Sequence, residues 1–273
     1  MSARVGIVTG ANKGIGLEIA RKLGREQGWL CVLTARDEER GRSAAESLLS
    51  EGAGVRFRQL DISDPDSRER FAKDAEQEFT AGIDALVNNA GFAFKGSDPT
   101  PFAEQAEPTM DINFFSTVAT TERLLPLVKR SPHGRIVNVA SMSGHLRIVP
   151  DAELRAKFAS AGQPGGLGHD ELMLLARGFV QDVKEGKHKE KGWPNSCYGM
   201  SKLCLIAYTK ILAAREPTLK VNACCPGYVA TDMSGQQGHK RPDQGALTPF
   251  MLATGALDGT SGGFWSDEKR IDW

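Results

Sequence analysis

No apolar run in this chain of 273 residues approaches the ~20 residues of a membrane-spanning helix, so a membrane-embedded protein is not expected. Charge of one sign is also missing: Lys and Arg number 34, Asp and Glu number 34, and the formal net charge is zero. No segment gathers enough basic residues for a nucleic-acid or membrane footprint; the run KEGKHKEK (184–191) mixes both signs and reads as a solvated face. Metal-ligand spacing is absent from the five cysteines (Cys31, Cys197, Cys204, Cys224, Cys225), and their odd number fits reduced thiols of the cytosol better than a disulfide framework. None of His133, His145, His169, His188 and His239 falls in a partnered motif, and surface or loop positions are expected for them. A strand-like stretch starts at Arg4, which leaves no room for a signal peptide. Internal repeats and low-complexity segments are lacking too. What remains is a cytoplasmic chain long enough for one large α/β domain or two small ones.

What is present alternates strand and helix. Val5–Thr9 is a short apolar run of the kind buried in a parallel sheet. It leads into Gly10-Ala11-Asn12-Lys13-Gly14-Ile15-Gly16 and then an amphipathic helix through Leu17, Ile19, Ala20 and Leu23. Strand, glycine loop and helix start together form the place where a dinucleotide pyrophosphate meets free N–H groups and the positive end of a helix dipole. The second strand, Trp29–Thr34, ends in Ala35-Arg36-Asp37, where a carboxylate would hold the ribose hydroxyls of NAD. Arg36, with Lys13 from the glycine loop, is suited instead to a 2′-phosphate, so NADP is favoured. A third strand, Val55–Leu60, leads to Asp61-Ile62 beside an adenine, and Ser63-Asp64-Pro65 opens another helix. The fourth, Ile83–Val87, ends in Asn88-Asn89-Ala90-Gly91, which fits a cofactor-lined crevice or simply a stabilised turn.

Phe92–Pro108 reads as loop and Met110–Lys129 as helix, with the amide of Asn113 on an apolar beginning, holding a backbone kink or a water. A fifth strand, Arg135–Val139, puts Ser141 at its carboxyl end, facing the crevice or capping a turn. The region 145–194 reads as a helical insertion, too short and polar to own a core. Lys220–Cys225 is the sixth strand, and the loop Pro226-Gly227-Tyr228-Val229-Ala230-Thr231-Asp232-Met233 after it can cover a nicotinamide. A helix over about 242–252 and a short strand near 262–265 finish the sheet. The expected fold is α/β: one Rossmann-type domain spanning 1–273, a doubly wound parallel sheet with helices on both faces and the insertion before Tyr198.

Tyr198 and Lys202 stand four residues apart at the mouth of an apolar helical run, so they share one face about a turn from each other. A free phenol has a pKa near 10, and a nearby ammonium favours its phenolate and draws that value down. The pair makes a proton donor for a reacting oxygen.

Taken in order, Thr9-Gly10-x-x-x-Gly14-Ile15-Gly16, Asn88-Asn89-Ala90-Gly91, Asn113, Ser141, Tyr198-x-x-x-Lys202 and Pro226-Gly227 resemble the short-chain dehydrogenase/reductase superfamily over nearly the whole chain. Ala35-Arg36, the insertion, Gly192-Trp193-Pro194, Asn222-Ala223-Cys224-Cys225-Pro226-Gly227 and Glu268-Lys269-Arg270 near Trp273 are similar to the monomeric NADPH-dependent carbonyl reductases. That resemblance implies reduction of ketones, aldehydes or quinones by a monomer whose insertion covers the surface other members use to form tetramers. It implies Tyr198 as proton donor, Lys202 lowering the tyrosine pKa and holding the nicotinamide ribose, Ser141 (or Ser143) polarising the carbonyl, and Asn113 holding a water. Gly10, Asn12, Lys13, Gly14, Ile15, Gly16, Arg36, Asp61, Ile62, Asn88, Ala90, Gly91, Tyr198, Lys202, Pro226, Gly227, Val229 and Thr231 are the expected cofactor contacts. Ser141, Met142, Trp193, Tyr198, Tyr228 and Met233 are the expected substrate contacts, which point to an apolar, aromatic or steroid-like carbonyl compound. Cys225 reads as a small buried residue or as a thiol beside the pocket. The rivals are a sugar-nucleotide epimerase, whose glycine spacing and larger substrate domain this chain lacks, and an NADPH-binding redox sensor without turnover.

Overall fold

The computed structural model describes residues 3–257 and 259–273; Met1, Ser2 and Asp258 lie outside the described residues. Along the chain run β1 (Arg4–Val8), α1 (Gly14–Arg25), β2 (Trp29–Ala35), α2 (Glu38–Ser50), β3 (Val55–Gln59), α3 (Pro65–Glu78) and β4 (Ala85–Asn88). After these come α4 (Phe102–Met110), α5 (Ser116–Arg130), β5 (Arg135–Val139), α6 (Ala152–Ala159), α7 (His169–Lys184), α8 (Cys197–Arg215), β6 (Lys220–Cys225), α9 (Pro242–Gly245), α10 (Leu247–Thr254), β7 (Phe264–Ser266) and β8 (Lys269–Ile271). One eight-stranded sheet in the order β3-β2-β1-β4-β5-β6-β7-β8 carries them, parallel except for the β7–β8 pair. The doubly wound α/β fold expected from the alternation is the one observed. Its winding reverses between β1 and β4, so a crevice opens at their carboxyl ends, where the two glycine-bearing segments sit.

Strand periodicity sorts side chains onto two cores. Ile7, Leu86, Ile136, Val221, Ala223 and Cys225 face α3, α5 and α8, whereas Val8, Val87, Val137, Val139 and Cys224 face α1, α2 and α10. The helix starts are capped as the sequence implies: Asp37 accepts from the Arg40 amide, Asp64 from that of Asp66 with Pro65 following, and Ser196 from that of Gly199. Asp37 is therefore a cap and not a competitor of Arg36. The insertion has no separate core. Phe158, Leu172 and Phe179 are fully buried in the cluster that also holds α8, each contributing roughly 1.5–3 kcal/mol.

Three readings are corrected. Residues 102–108 of the stretch expected as loop are helical, part of α4; Pro108 lies inside that helix, where its missing N–H costs one bond to the Glu104 carbonyl without ending it. Between α4 and α5 the chain makes a π-helical turn, Asp111–Phe115, with the Ser116 amide bonded to the Asp111 carbonyl. The expected last helix is broken into α9 and α10, and an antiparallel edge strand, β8, follows the expected last strand.

A buried amide ladder joins sheet to helices. Asn88 Nδ2 donates to Thr121 Oγ1 on α5 and to Asn138 Oδ1 on β5, both at 2.8 Å, and Asn138 Nδ2 donates to Thr209 Oγ1 on α8 at 2.8 Å. Asn138→Ala leaves the Asn88 amide short of one acceptor and the Thr209 hydroxyl oxygen short of one donor, and we expect a loss of roughly 2–3 kcal/mol in urea denaturation. A loss below about 1 kcal/mol would show that the ladder is not what couples α5 and α8 to the sheet.

Candidate active site

The glycine loop is tied to the end of β4. Thr9 Oγ1 accepts from the amides of Asn89 and Ala90, both at 3.0 Å, and Asn89 Nδ2 returns bonds to the carbonyls of Thr9 (2.9 Å) and Gly10 (3.1 Å). Gly10 and Gly14 have φ of +62° and +57°, where L side chains are strained. A Cβ on Gly16 would lie 2.4 Å from Asn89 Nδ2 and 2.6 Å from the Gly10 carbonyl oxygen, so only glycine allows this approach. No side chain caps α1 and its first turn holds no acid, which leaves its N–H groups and dipole for an anion. This cradle fits a dinucleotide pyrophosphate. Asn12 and Ile15 are half-buried beside it.

Arg36 is exposed at the end of β2, its carbonyl accepting from Gln59 Nε2 at 3.1 Å. Lys13 instead pairs with Asp232 at 2.7 Å, and this pair ties the glycine loop to the loop after β6. Asp61 Oδ1 accepts from the amide and hydroxyl of Ser63, and Ile62 is buried. The Asn88 side chain is spent in the buried ladder; its neighbour Asn89, which the sequence reading left without a role, holds the cradle together. Asn88 closes β4 and Asn89 follows it, so no periodicity within the strand separates the two.

The π-turn aims Asn113 inward, 1% exposed. Its Oδ1 accepts from the Phe92 amide (2.7 Å), and its Nδ2 donates to the Phe92 carbonyl (2.8 Å) and Ser201 Oγ (3.0 Å). A Cβ on Gly91 would come within 3.3 Å of Asn113 Oδ1 and 3.7 Å of Lys202 Nζ, so all three adjoin. Ser201, beside Lys202 on the Tyr198 helix, went unremarked in the sequence and anchors Asn113.

Tyr198 and Lys202 stand on the first two turns of α8. The Lys202 Nζ donates to the Val139 carbonyl at 2.8 Å and lies 5.7 Å from the centre of the Tyr198 ring. Burial lowers its pKa to about 8, with Cys224 and Cys225 pulling the other way. Burial likewise pushes the Tyr198 phenol up to about 12, against a hydrogen bond with Ser141 that lowers it. The downward shift expected from the ammonium is not seen, desolvation being the largest effect, and at neutral pH the phenol carries its proton. Of the two candidate serines, Ser141 is half-buried and its hydroxyl acts to lower the Tyr198 phenol's pKa; Ser143 is exposed and donates its amide to Ser141 Oγ at 3.1 Å.

The loop after β6 leans over this site. Gly227 (φ +86°) packs on the Lys240 side chain, its amide 3.4 Å from Cys225 Sγ. Val229 is buried in a bridge with Lys240, and the Thr231 methyl reaches the glycine loop at Gly14. Pro226 precedes these. Met142 is half-buried, whereas Tyr228 and Met233 are exposed, Tyr228 edge-on to His239. Trp193 stands apart from them, with its indole donating to buried Asp182 at 2.8 Å and its ring edge-on to Phe179. Cys225 is buried on the α8 face. His188 departs from the expected surface role: it is buried, 3.0 Å from Asn195 Oδ1 and against Phe102, just ahead of the Tyr198 helix.

With this geometry in view, comparison with known proteins defines the class. The family model described as short chain dehydrogenase matches residues 4–152. The chain is 46% identical to carbonyl reductase (NADPH) 1 of Mus musculus, over 100% of this chain and 99% of that one, and 45% identical to carbonyl reductase (NADPH) 3 of the same species, over 94% and 93%. Among solved structures, salutaridine reductase from Papaver somniferum superposes with a TM-score of 0.86 at 32% identity, covering 97% of this chain and 99% of that one. The protein belongs to the short-chain dehydrogenase family. Within it, the chain resembles the carbonyl reductases.

Proposed function

We propose that this protein is an NADPH-dependent carbonyl reductase, taking ketones, aldehydes or quinones to alcohols or hydroquinones with Tyr198 as proton donor. The observation that carries the reading is Tyr198 standing one helical turn from the buried Lys202 ammonium, whose Nζ is held by the Val139 carbonyl at the strand end leading to Ser141, together with the uncapped helix start at the glycine loop. The cofactor, when bound, supplies hydride to the carbonyl carbon. The glycine loop, supported by Asn89 and opening on an uncapped helix start, holds its pyrophosphate; Arg36 and Lys13 hold the 2′-phosphate; Ala90, Gly91, Pro226, Val229 and Thr231 line its path.

Negative charge grows on the carbonyl oxygen as its carbon is reduced. Ser141 and Tyr198 donate hydrogen bonds to that oxygen, and Tyr198 passes its proton across. A phenol with a pKa of about 12 is in the protonated form this direction requires. The phenolate left behind is stabilised by Lys202, while Asn113 fixes the backbone at Phe92 and holds the proton route from Lys202 to water. Met142, Tyr228 and Met233 offer an apolar flank suited to aromatic or steroid-like carbonyl compounds. A monomeric, cytoplasmic enzyme accords with α7 packed on α4 and α8 and with five free cysteines.

Tyr198→Phe should lower kcat for NADPH oxidation against a panel of quinones, ketones and aldehydes by about 100-fold or more while leaving NADPH binding intact. NADPH binding without turnover of any panel member by the wild type would favour the redox-sensor reading. Lys202 loses its proton as pH rises through about 8, removing the cation that supports the phenolate, so kcat for reduction should fall toward a tenfold drop per pH unit above that value. A flat profile to pH 10 would mean the charge on Lys202 is not used. Because Asp232 competes for Lys13, Arg36→Ala and Asp232→Asn should move NADPH affinity in opposite directions, the second tightening it about threefold at low salt with little effect on NADH. Equal effects on both cofactors would place neither cation at the phosphate.

A further inference from the structure

Among the described residues, three that are not glycine have a left-handed backbone: Gln236 (φ +65°), Asp267 (φ +50°) and Glu268 (φ +59°). A Cβ disfavours that region, and residues held there mark places where the surrounding structure imposes the conformation. Gln236 lies on the loop after β6. The other two make up the whole turn of the β7–β8 hairpin, since Ser266 pairs with Lys269. A two-residue hairpin favours left-handed geometry at both positions, and Asn-Gly or Asp-Gly is the usual means. Glu268 stands where that pattern has glycine, so something other than the turn itself keeps a side chain there.

Both side chains of the turn are engaged away from the hairpin. Thr248 Oγ1, on α10, donates to Glu268 Oε1 at 2.8 Å and accepts from the Glu268 amide at 3.2 Å. Asp267 accepts from Lys240 Nζ, and this bond chiefly holds its carboxyl below the usual carboxylate range. Thr248 is buried, so α10 fixes the turn and the turn presents Asp267 to Lys240. Ser266 lies beside Cys225 in the sheet, which brings the turn level with the start of the loop after β6.

Lys240 closes that loop. Its amide donates to the Tyr228 carbonyl at 3.1 Å, and its own carbonyl accepts from the Ala230 amide at 2.9 Å. Its side chain lies over Gly227, where a Cβ would stand 3.0 Å from Nζ. Further along, the Gln236 amide donates to the Thr231 carbonyl at 2.9 Å and its Nε2 to Asp232 Oδ1 at 3.2 Å. Thr231 and Asp232 are the residues that meet Gly14 and Lys13. All three left-handed residues thus belong to one run of contacts from α10 to the glycine loop.

We propose that Asp267 is a positioning residue for the cofactor: through Lys240 it sets the loop after β6 against the glycine loop, and the hairpin keeps a left-handed Asp-Glu turn to make that contact. The effect on the cofactor rests on NADP(H) occupying the crevice; the anchoring of the loop does not.

Two variants of the full chain test this. Asp267→Asn removes the charge facing Lys240 and keeps a residue tolerated in the left-handed region, whereas Asp267→Gly removes the contact and the strain together. Amide hydrogen exchange of the cofactor-free protein, read at Ala230 and Lys240, should quicken about threefold in both, the size of a partly exposed ion pair. NADPH, titrated by its fluorescence, should bind about threefold more weakly. The thermal midpoint of Asp267→Gly should stay within a few degrees of the wild type, relief of the left-handed strain offsetting the lost ion pair. Unchanged exchange at the two amides in both variants overturns the anchoring, whether or not NADPH binds. Faster exchange with unaltered NADPH affinity overturns the role toward the cofactor. A lowered midpoint with exchange quickened across the whole sheet makes the turn a support of the fold only and overturns both. Failure of the wild type to bind NADPH would overturn the reading of the crevice instead, and exchange at Ala230 and Lys240 then decides the anchoring by itself.

Discussion

The bond from Lys202 Nζ to the Val139 carbonyl joins the most buried helix of the molecule to the central strand of its sheet, and the candidate site is arranged around it. It fixes the ammonium below the Tyr198 ring and not against the hydroxyl. It also sets the height at which α8 crosses the end of β5, the strand that leads to Ser141. Gly144 has no side chain because the Lys202 backbone occupies that space; a Cβ there would lie 2.5 Å from the Lys202 carbonyl carbon. A cation held in this way is desolvated, and the price is visible in its lowered pKa.

Much of this was legible in the chain. Parallel strands buried on both faces leave short apolar runs, and β5 and β6 have the bounds expected of them. The glycine loop announced itself because its spacing and its position at the first strand–helix junction reinforce each other. The Tyr–Lys face followed from helical period alone. What stayed hidden depends on contacts between segments far apart in sequence. Nothing local tells that Asn88 turns inward to Asn138 while Asn89 turns to the glycine loop, or that Asp232 reaches Lys13 across 219 positions. Pro108 lies in the stretch read as loop, yet α4 runs through it. The β8 strand, Lys269–Ile271, is too short and polar to read as one without its partner β7.

The insertion shows how a polar segment is held by a larger core. Its apolar residues are few, but they sit in the same cluster as α8, and Asp182 gathers Lys191 and Trp193 at its end. That fixes the chain entering the Ser196 cap, and with it the first turn of the helix bearing Tyr198. Tyr228 and Met233, on the loop after β6, are exposed by comparison.

The π-helical turn at Asp111–Phe115 has a consequence for how this sequence can change. A wide turn contains one residue more than a regular helix uses, so a single in-frame codon deletion there would restore an unbroken helix from α4 into α5. The same deletion would rotate Asn113 away from Phe92 and Ser201. The regular helix gained would thus be set against three buried hydrogen bonds lost, so length at this one position is constrained by packing between α5 and α8 and not by helix propensity.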